Sequence, residues 1–222
     1  MSDARTDILA VVNAAVSGNS DEACLRLDAH QANVIPARGR LGAKARVDLF
    51  IREAERVEAT VARVSSAEGV PREVARYLAK NNLPMSLKVA SDISGDIIPW
   101  TDQTLLTVEE GPADGSELAG VSRAFAGVAE TGTLVMLSGP GNPTTLSFLP
   151  PTHVVVVAAP EIAGDYEQVW VRLRADHTQA DGTFMPRNVN WITGPSRTAD
   201  IEQTLLLGAH GPQRLHIVII DG

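Results

Sequence analysis

The sequence predicts an α/β fold with a mainly parallel sheet flanked by helices. Three observations point to it. Apolar residues make up 44% of the 222 residues but aromatics only 4%, so the core must be built from Ala, Val, Leu and Ile, as in sheets buried on both faces. His153–Ala158, with four valines in a row, and Leu215–Ile220 read as fully buried strands rather than alternating ones. Strand-like and helix-like segments alternate along most of the chain.

In chain order, residues 3–16 form an amphipathic helix with Ile8, Val11, Val12 and Ala15 on one face. Residues 19–27 suit a second short helix. Residues 31–42 are a polar connector punctuated by Pro36, Gly39 and Gly42. Arg38, Arg40, Lys44 and Arg46 fall within nine residues and are the one basic cluster. A solvated surface and docking to an acidic partner are both compatible with it. Lys44–Thr60 is a long helix, with Val47, Phe50, Ile51, Ala54 and Val57 at three- and four-residue steps. The sheet begins near Val61–Val64. Pro71 opens a helix to Asn81, and Leu87–Ala90 is a short strand. Gly120–Ala129 and Thr133–Leu137 are apolar segments joined at Glu130-Thr131-Gly132 by a tight turn or bend. Ser138–Pro143 is a Gly/Pro-rich loop. Pro160–Arg174 is a helix opened by Glu161 and closed by Arg172 and Arg174, matching the macrodipole. A polar loop, His177–Asn188, follows.

The last thirty-two residues read as one unit. Val189–Thr193 is a strand end broken by Gly194 and Pro195. Thr198–Leu207 is a helix with Asp200 and Glu202 in its first turn. Gly208 is its C-cap, and Leu215–Ile220 is the closing strand. This βαβ order puts any ligand at the loop after the first strand.

The net charge of −8 disfavours nucleic acid, which requires a concentrated basic face. No run of eighteen apolar residues offers a membrane span. The first residues carry acids and lack an apolar signal core, so a cytoplasmic location is expected. Cys24, the one cysteine, can make no intramolecular disulfide and cannot alone hold an iron–sulfur cluster, which takes about four cysteines. The five histidines show no ligand spacing, and no metal is predicted. His153 and His210 are candidate acids or bases, although His210 also suits a helix C-terminus; His216, inside a strand, reads as packed.

Two groups of residues resemble a known family. Thr193-Gly194-Pro195-Ser196-Arg197-Thr198-Ala199-Asp200-Ile201-Glu202, then Leu207–Pro212 with His210, resembles the closing signature of the lactate utilization protein C family of LUD-domain proteins. Ala129–Leu134, then Ser138-Gly139-Pro140-Gly141, then Leu149–Val154 agree with it in order. The resemblance implies a fold similar to the sugar-phosphate isomerases and CoA transferases, with residues 1–60 as accessory helices and 61–222 as the LUD-type domain. It also implies a component of an L-lactate utilization system acting with iron–sulfur partner proteins. This chain would hold no cofactor; the clusters would lie in the partners.

The candidate ligand-binding residues are therefore Thr131, Gly132, Ser138, Gly139, Gly141, Thr193, Gly194, Ser196, Arg197, Thr198, Asp200, Glu202 and His210. They would line one cleft for a small anionic metabolite, with Arg197 as its bidentate partner. A capped helix start, with Ser196 or Thr198 as N-cap, fits the same residues. Glu130 is the candidate catalytic residue, because CoA transferases of the related fold use a glutamate nucleophile. A plain turn residue is the alternative. Whether the chain is itself an enzyme stays open between these readings.

Overall fold

The computed structural model describes residues 4–16, 24–26, 29, 32–95, 97–180, 182–198, 206–208 and 210–222. The chain forms two compact units, Met1–Val34 and Ile35–Gly222. In the first, α1 (Ala4–Val16) is helical as expected, and its Ile8 and Val11 are 64% and 70% exposed. Of the second expected helix, residues 24–26 are helical and the others lie mostly outside the described residues.

The second unit begins at Ile35, so the expected boundary at residue 60 falls inside it. The reason is packing. Helix α2 (Ala43–Arg56) buries Val47, Phe50 and Ala54 in the same core as the sheet. It stops four residues earlier than its periodicity suggests, because Glu58 takes a left-handed turn (φ 69°) and Thr60 enters a strand.

The large sheet comprises β1 (Thr60–Val64), β2 (Ser86–Val89), β3 (Thr107–Glu110), β4 (Ala119–Arg123), β7 (Thr152–Ala158) and β12 (Arg214–Ile220). Its order is β1–β12–β7–β4–β2–β3, and every pair is parallel. The valine run of β7 alternates as a pleated strand must. Val154 and Val156 face one core with helix α3 (Val70–Lys80); Val155 and Val157 face the other with α2.

A second sheet lies against that other face. It is made of β5 (Ala126–Val128), β6 (Thr133–Leu137), β8 (Ile162–Ala163) and β9 (Val189–Ile192) in the order β8–β5–β6–β9. Leu134 and Met136 point into the α2 core, while Val135 packs toward Val169 of the following helix, α5 (Tyr166–His177). A one-turn helix, α4 (Thr144–Phe148), joins β6 to β7. Among the described residues no helix is long and apolar enough to cross a membrane.

Three expectations change. The apolar run Gly120–Ala129 serves two sheets: it leaves the large one after Arg123 and enters the small one at Ala126. The helix expected over Pro160–Arg174 starts only at Tyr166, where Asp165 caps it by accepting from Gln168 N (2.9 Å); Ile162 and Ala163 pair instead with Gly127 and Val128. The closing βαβ unit is absent. β9 pairs antiparallel with β6, while β12 lies in the other sheet. The helix expected over Thr198–Leu207 is replaced at both ends by a ribbon, β10 (Arg197–Thr198) with β11 (Leu206–Leu207). A helix would hold those ends about 13 Å apart; instead Thr198 is paired with Leu206.

Two histidines are sealed into the large sheet. His153 is fully buried, with Nε2 2.6 Å from Ser122 Oγ; burial lowers its pKa to about 3. His216 stacks on Tyr77 (4.0 Å) with Nδ1 2.8 Å from Thr60 Oγ1. Burial lowers its pKa to about 4, against the pull of Glu73 3.3 Å away. His216 is thus packed, as expected, and His153 is a neutral core residue rather than an acid or base.

Two predictions follow from this packing. Gly132 (φ 65°) and Gly194 (φ 74°) press on the last turn of α2: an added Cβ would lie 2.3 Å from Ala54 N and 2.4 Å from Val57 O. Gly132→Ala and Gly194→Ala should each cost at least about 1–3 kcal/mol in chemical denaturation. Gly139→Ala, where a Cβ meets nothing within 4 Å, should change stability by no more than about 0.5 kcal/mol. The histidines give a pH dependence. The unfolded chain takes up protons near pH 6.5 that the folded imidazoles refuse, so stability is complete above that value and falls as pH drops toward 4. His216→Gln should remove up to about 1.4 kcal/mol per pH unit of that slope between pH 6 and 4.5; an unchanged slope would show that His216 is not the titrating group.

Candidate functional site

In an open parallel sheet the loops leaving the carboxyl ends bound a crevice where successive connections diverge. Here the chain leaving β2 turns outward to β3, and the chain leaving β4 returns on the other side as β7. Between them lies a cleft of about 410 Å³, lined by Asp92 after β2, Arg123 and Phe125 at the end of β4, the Ser138–Asn142 loop, Glu161, and Arg172 and His177 of α5.

Its walls are tied by backbone bonds. Asp92 N donates to Gly141 O (3.1 Å), and Asn142 Nδ2 donates to the Arg123 carbonyl (2.9 Å). Gly139 and Asn142 exchange backbone bonds of 3.2 and 3.1 Å. Ser138 fixes the other end, donating through N to Asn188 O (3.0 Å) and accepting from Asn188 N at Oγ (2.8 Å).

Charge is arranged around Glu161. Its carboxylate pairs with Arg123, lies 3.7 Å from Arg172 and accepts from Ala158 N (3.1 Å). Arg172 also reaches Asp176 (3.4 Å) and lies 4.4 Å above the Phe125 ring; His177 meets that ring edge-on at 5.7 Å. Burial raises the pKa of Asp92, and Arg123 opposes the rise. Two guanidinium groups with donors to spare, an aromatic wall and a carboxyl of raised proton affinity suit a small carboxylate. Among the described residues no three His, Cys, Asp or Glu side chains converge as a metal site.

Of the residues expected in one cleft, Ser138, Gly139 and Gly141 line this one. The other described ones lie elsewhere. Because β6 and β9 run antiparallel, Leu137 pairs with Val189 while Leu134 pairs with Ile192, so the loops after Leu137 and after Ile192 sit at opposite ends of the ribbon, about 15 Å apart. At the far end Thr133 Oγ1 lies 2.7 Å from both Thr131 Oγ1 and Thr193 Oγ1, and Tyr166 OH lies 3.0 and 3.1 Å from Thr131 and Thr133. These hydroxyls knit β6, β9 and α5 together. Glu130 is 6% exposed, and its N donates to Gly164 O (3.2 Å). Gly132 and Gly194 fit against α2, as described above.

Arg197 points to none of these clefts. Its Nη2 donates to the Val57 carbonyl (2.7 Å) at the C-terminus of α2, and its Nη1 lies 3.6 Å from Glu58. Ser196 closes the base of the β10–β11 ribbon: its N donates to Pro212 O (2.8 Å), its carbonyl accepts from Gly208 N (3.0 Å) and its Oγ from His210 N (3.3 Å). Ser196 is thus bound into the ribbon base, Thr198 pairs with Leu206, and His210 follows β11. Asp200 and Glu202 lie outside the described residues. Arg123, Asp92, Phe125 and His177 were not anticipated. For Arg123 and Phe125 the sequence offers only a charged or aromatic residue closing an apolar run, a weak signal, and Asp92 after Ser91 and His177 after Asp176 offer none.

Comparison with known proteins agrees with this fold. Residues 116–220 match the model of the LUD domain family. An uncharacterized protein of Neisseria meningitidis serogroup B is 41% identical over 102 residues, 46% of this chain and 42% of its own length. Lactate utilization protein C of Geobacillus sp. is 39% identical over 112 residues, 49% of this chain and 45% of its own. That of Exiguobacterium sp. is 31% identical over 146 residues, 66% and 61%. The matched segments thus span about half the length of these relatives. A crystal structure of a DUF162 family protein from Deinococcus radiodurans shares the fold, with a TM-score of 0.59 and 19% identity over 81% of this chain and 99% of its own.

Arg197→Ala should lower stability by about 1 kcal/mol through the lost charge-assisted bond to Val57, without altering anion binding in the carboxyl-edge cleft. Calorimetric titration beside thermal denaturation measures both; weakened anion binding would return Arg197 to the site.

Proposed function

We propose that this chain, whose residues 116–220 match the LUD domain family model, is a component of lactate utilization and binds a small 2-hydroxy or 2-oxo acid in its carboxyl-edge cleft. The observation that carries the reading is the pair Arg123 and Arg172, held by Glu161 on the wall of a cleft at the topological switch point. A carboxylate between the two guanidinium groups would gain charge-assisted bonds in a partly desolvated space. Phe125 would cover the apolar part of the acid. Asp92 would accept a hydrogen bond from the 2-hydroxyl, which separates a hydroxy acid from a plain carboxylate.

Oxidising lactate takes two electrons away, and a chain with the single cysteine Cys24 has too few thiolates to ligate a cluster that would receive them. The proposed role is therefore binding or assembly, with iron–sulfur partner proteins carrying the electrons. The rival reading, a stand-alone enzyme of CoA-transferase or sugar-phosphate isomerase type, needs an accessible nucleophile at Glu130. Its 6% exposure and its position at the opposite end of the β6–β9 ribbon speak against that.

The purified chain should bind lactate or pyruvate in calorimetric titration, and Arg123→Gln and Arg172→Gln should each weaken binding at least about tenfold. Glu130→Gln should leave it unchanged. With lactate and an artificial acceptor the isolated chain should show no turnover; robust oxidation by it alone, or an acyl adduct on Glu130 in mass spectrometry, would overturn the assignment.

A further inference from the structure

The carboxyl edge holds a second cavity, of about 370 Å³, beyond the ends of β1, β12 and β7. Its lining is cationic in a chain of net charge −8: Lys44 and Arg46 from the first turns of α2 and Arg63 from β1, against the one acid Asp221. Arg63 is already committed, donating to Asp221 Oδ1 through Nε (2.9 Å) and Nη2 (2.7 Å), with Asp48 4.0 Å away. Lys44 and Arg46 make no ion pair among the described residues. Arg46 goes further: its Nε is buried and has no hydrogen-bond partner. A buried guanidinium donor left without a partner is costly, and the Arg46 side chain lines this cavity.

The helix start adds to this. Helices favour acids in the first turn, because free amide N–H groups and the macrodipole make that end positive. Here the first turn of α2 holds no acid, and Gly42 provides no capping side chain. Two cations therefore stand at an already positive end, an arrangement that costs stability unless a negative group neutralises it.

We propose that Lys44, Arg46 and Arg63 form an anion site that takes a phosphate group, separate from the Arg123–Arg172 cleft. Arg46 also lines the recess that runs by Pro160 to Glu161 and Arg172, so the two sites lie along one carboxyl-edge track. A phosphate, compact and doubly charged, meets the fork of Arg46, the ammonium of Lys44 and the helix amides together.

The test is calorimetric titration of the full chain with inorganic phosphate at low ionic strength, repeated with Lys44→Gln, Arg46→Gln and Arg123→Gln. Affinity should fall at least about tenfold in the first two and stay unchanged in the third. Lys44 is exposed, so Lys44→Gln carries the test if Arg46→Gln fails to fold. Loss of phosphate binding only in Arg123→Gln would move the anion to the other cleft and overturn the proposal. Equal affinity in all variants would overturn it too, as would binding of poly-glutamate that phosphate does not compete away, which would make the surface a dock for an acidic protein.

Discussion

The close approach of the last turn of α2 to the small sheet is the constraint on which the rest of the structure depends. At Gly132 and Gly194 the backbone comes so near that a single methyl group would overlap Ala54 N or the Val57 carbonyl. Arg197 then accepts the job a helix C-terminus leaves open, donating to the Val57 carbonyl that no intrahelical amide reaches. Since α2 runs directly into β1 of the large sheet, these three residues fix the spacing between the sheets. The α2 core, from Phe50 to Ile217 and Leu134, fills the space so defined. Residues separated by more than sixty positions in the sequence thus share one structural task, and Gly132 and Gly194, one in each motif block, have a steric reason.

The parts of this fold legible in the sequence were those whose pattern is local. The valine run of β7 needed a sheet with two apolar faces, and the helix opened by Pro71 carried its own start signal. What escaped was partner choice. Val189–Ile192 is a short apolar run that suits either sheet, and nothing within it states whether its neighbour runs parallel or antiparallel. The large sheet was the economical assumption, and pairing with β6 defeated it. The same limit explains why the helix expected over Thr198–Leu207 fails at its ends: Ile201 and Leu205 are spaced four apart in the sequence, but Thr198 pairs with Leu206 and the backbone bonds of Ser196 and Pro212 close a ribbon there, while residues 199–205 lie outside the described residues.

The site was half legible for the same reason. That ligands gather at carboxyl ends of parallel strands was a sound premise, and Ser138–Gly141 does lie there. Assigning β9 to that sheet put Thr193, Gly194 and Arg197 at the same edge, whereas its antiparallel pairing with β6 places them at the other end of that ribbon. Arg123 gave little local warning, since an arginine closing a strand is ordinary. It becomes informative only once Glu161, thirty-eight residues on, and Arg172 on another helix are known to stand beside it.

Distribution of charge gives these pieces a common direction. The chain is acidic as a whole, and a uniform spread would repel small anions from every face. Instead Arg123, Arg172, Arg46, Lys44 and Arg63 are gathered along the carboxyl edge, each beside a cavity. At the amino end of β2 the balance reverses, with Glu109, Glu117 and Asp114 around the single Lys88. The edge also carries Asp92, Glu161, Asp176, Asp221 and Asp48 beside these cations, so the guidance it offers an incoming anion is local to Lys44 and Arg46 and to the spare donors of Arg123 and Arg172, and low-dielectric cleft walls strengthen it. Because such guidance acts between partly exposed groups, it weakens once the Debye length falls below the size of the cleft, which happens just above about 0.15 M salt, where that length is about 8 Å. The short-range contacts of Arg123 and Arg172 are screened far less, so the steering and the grip of this edge are separable by ionic strength.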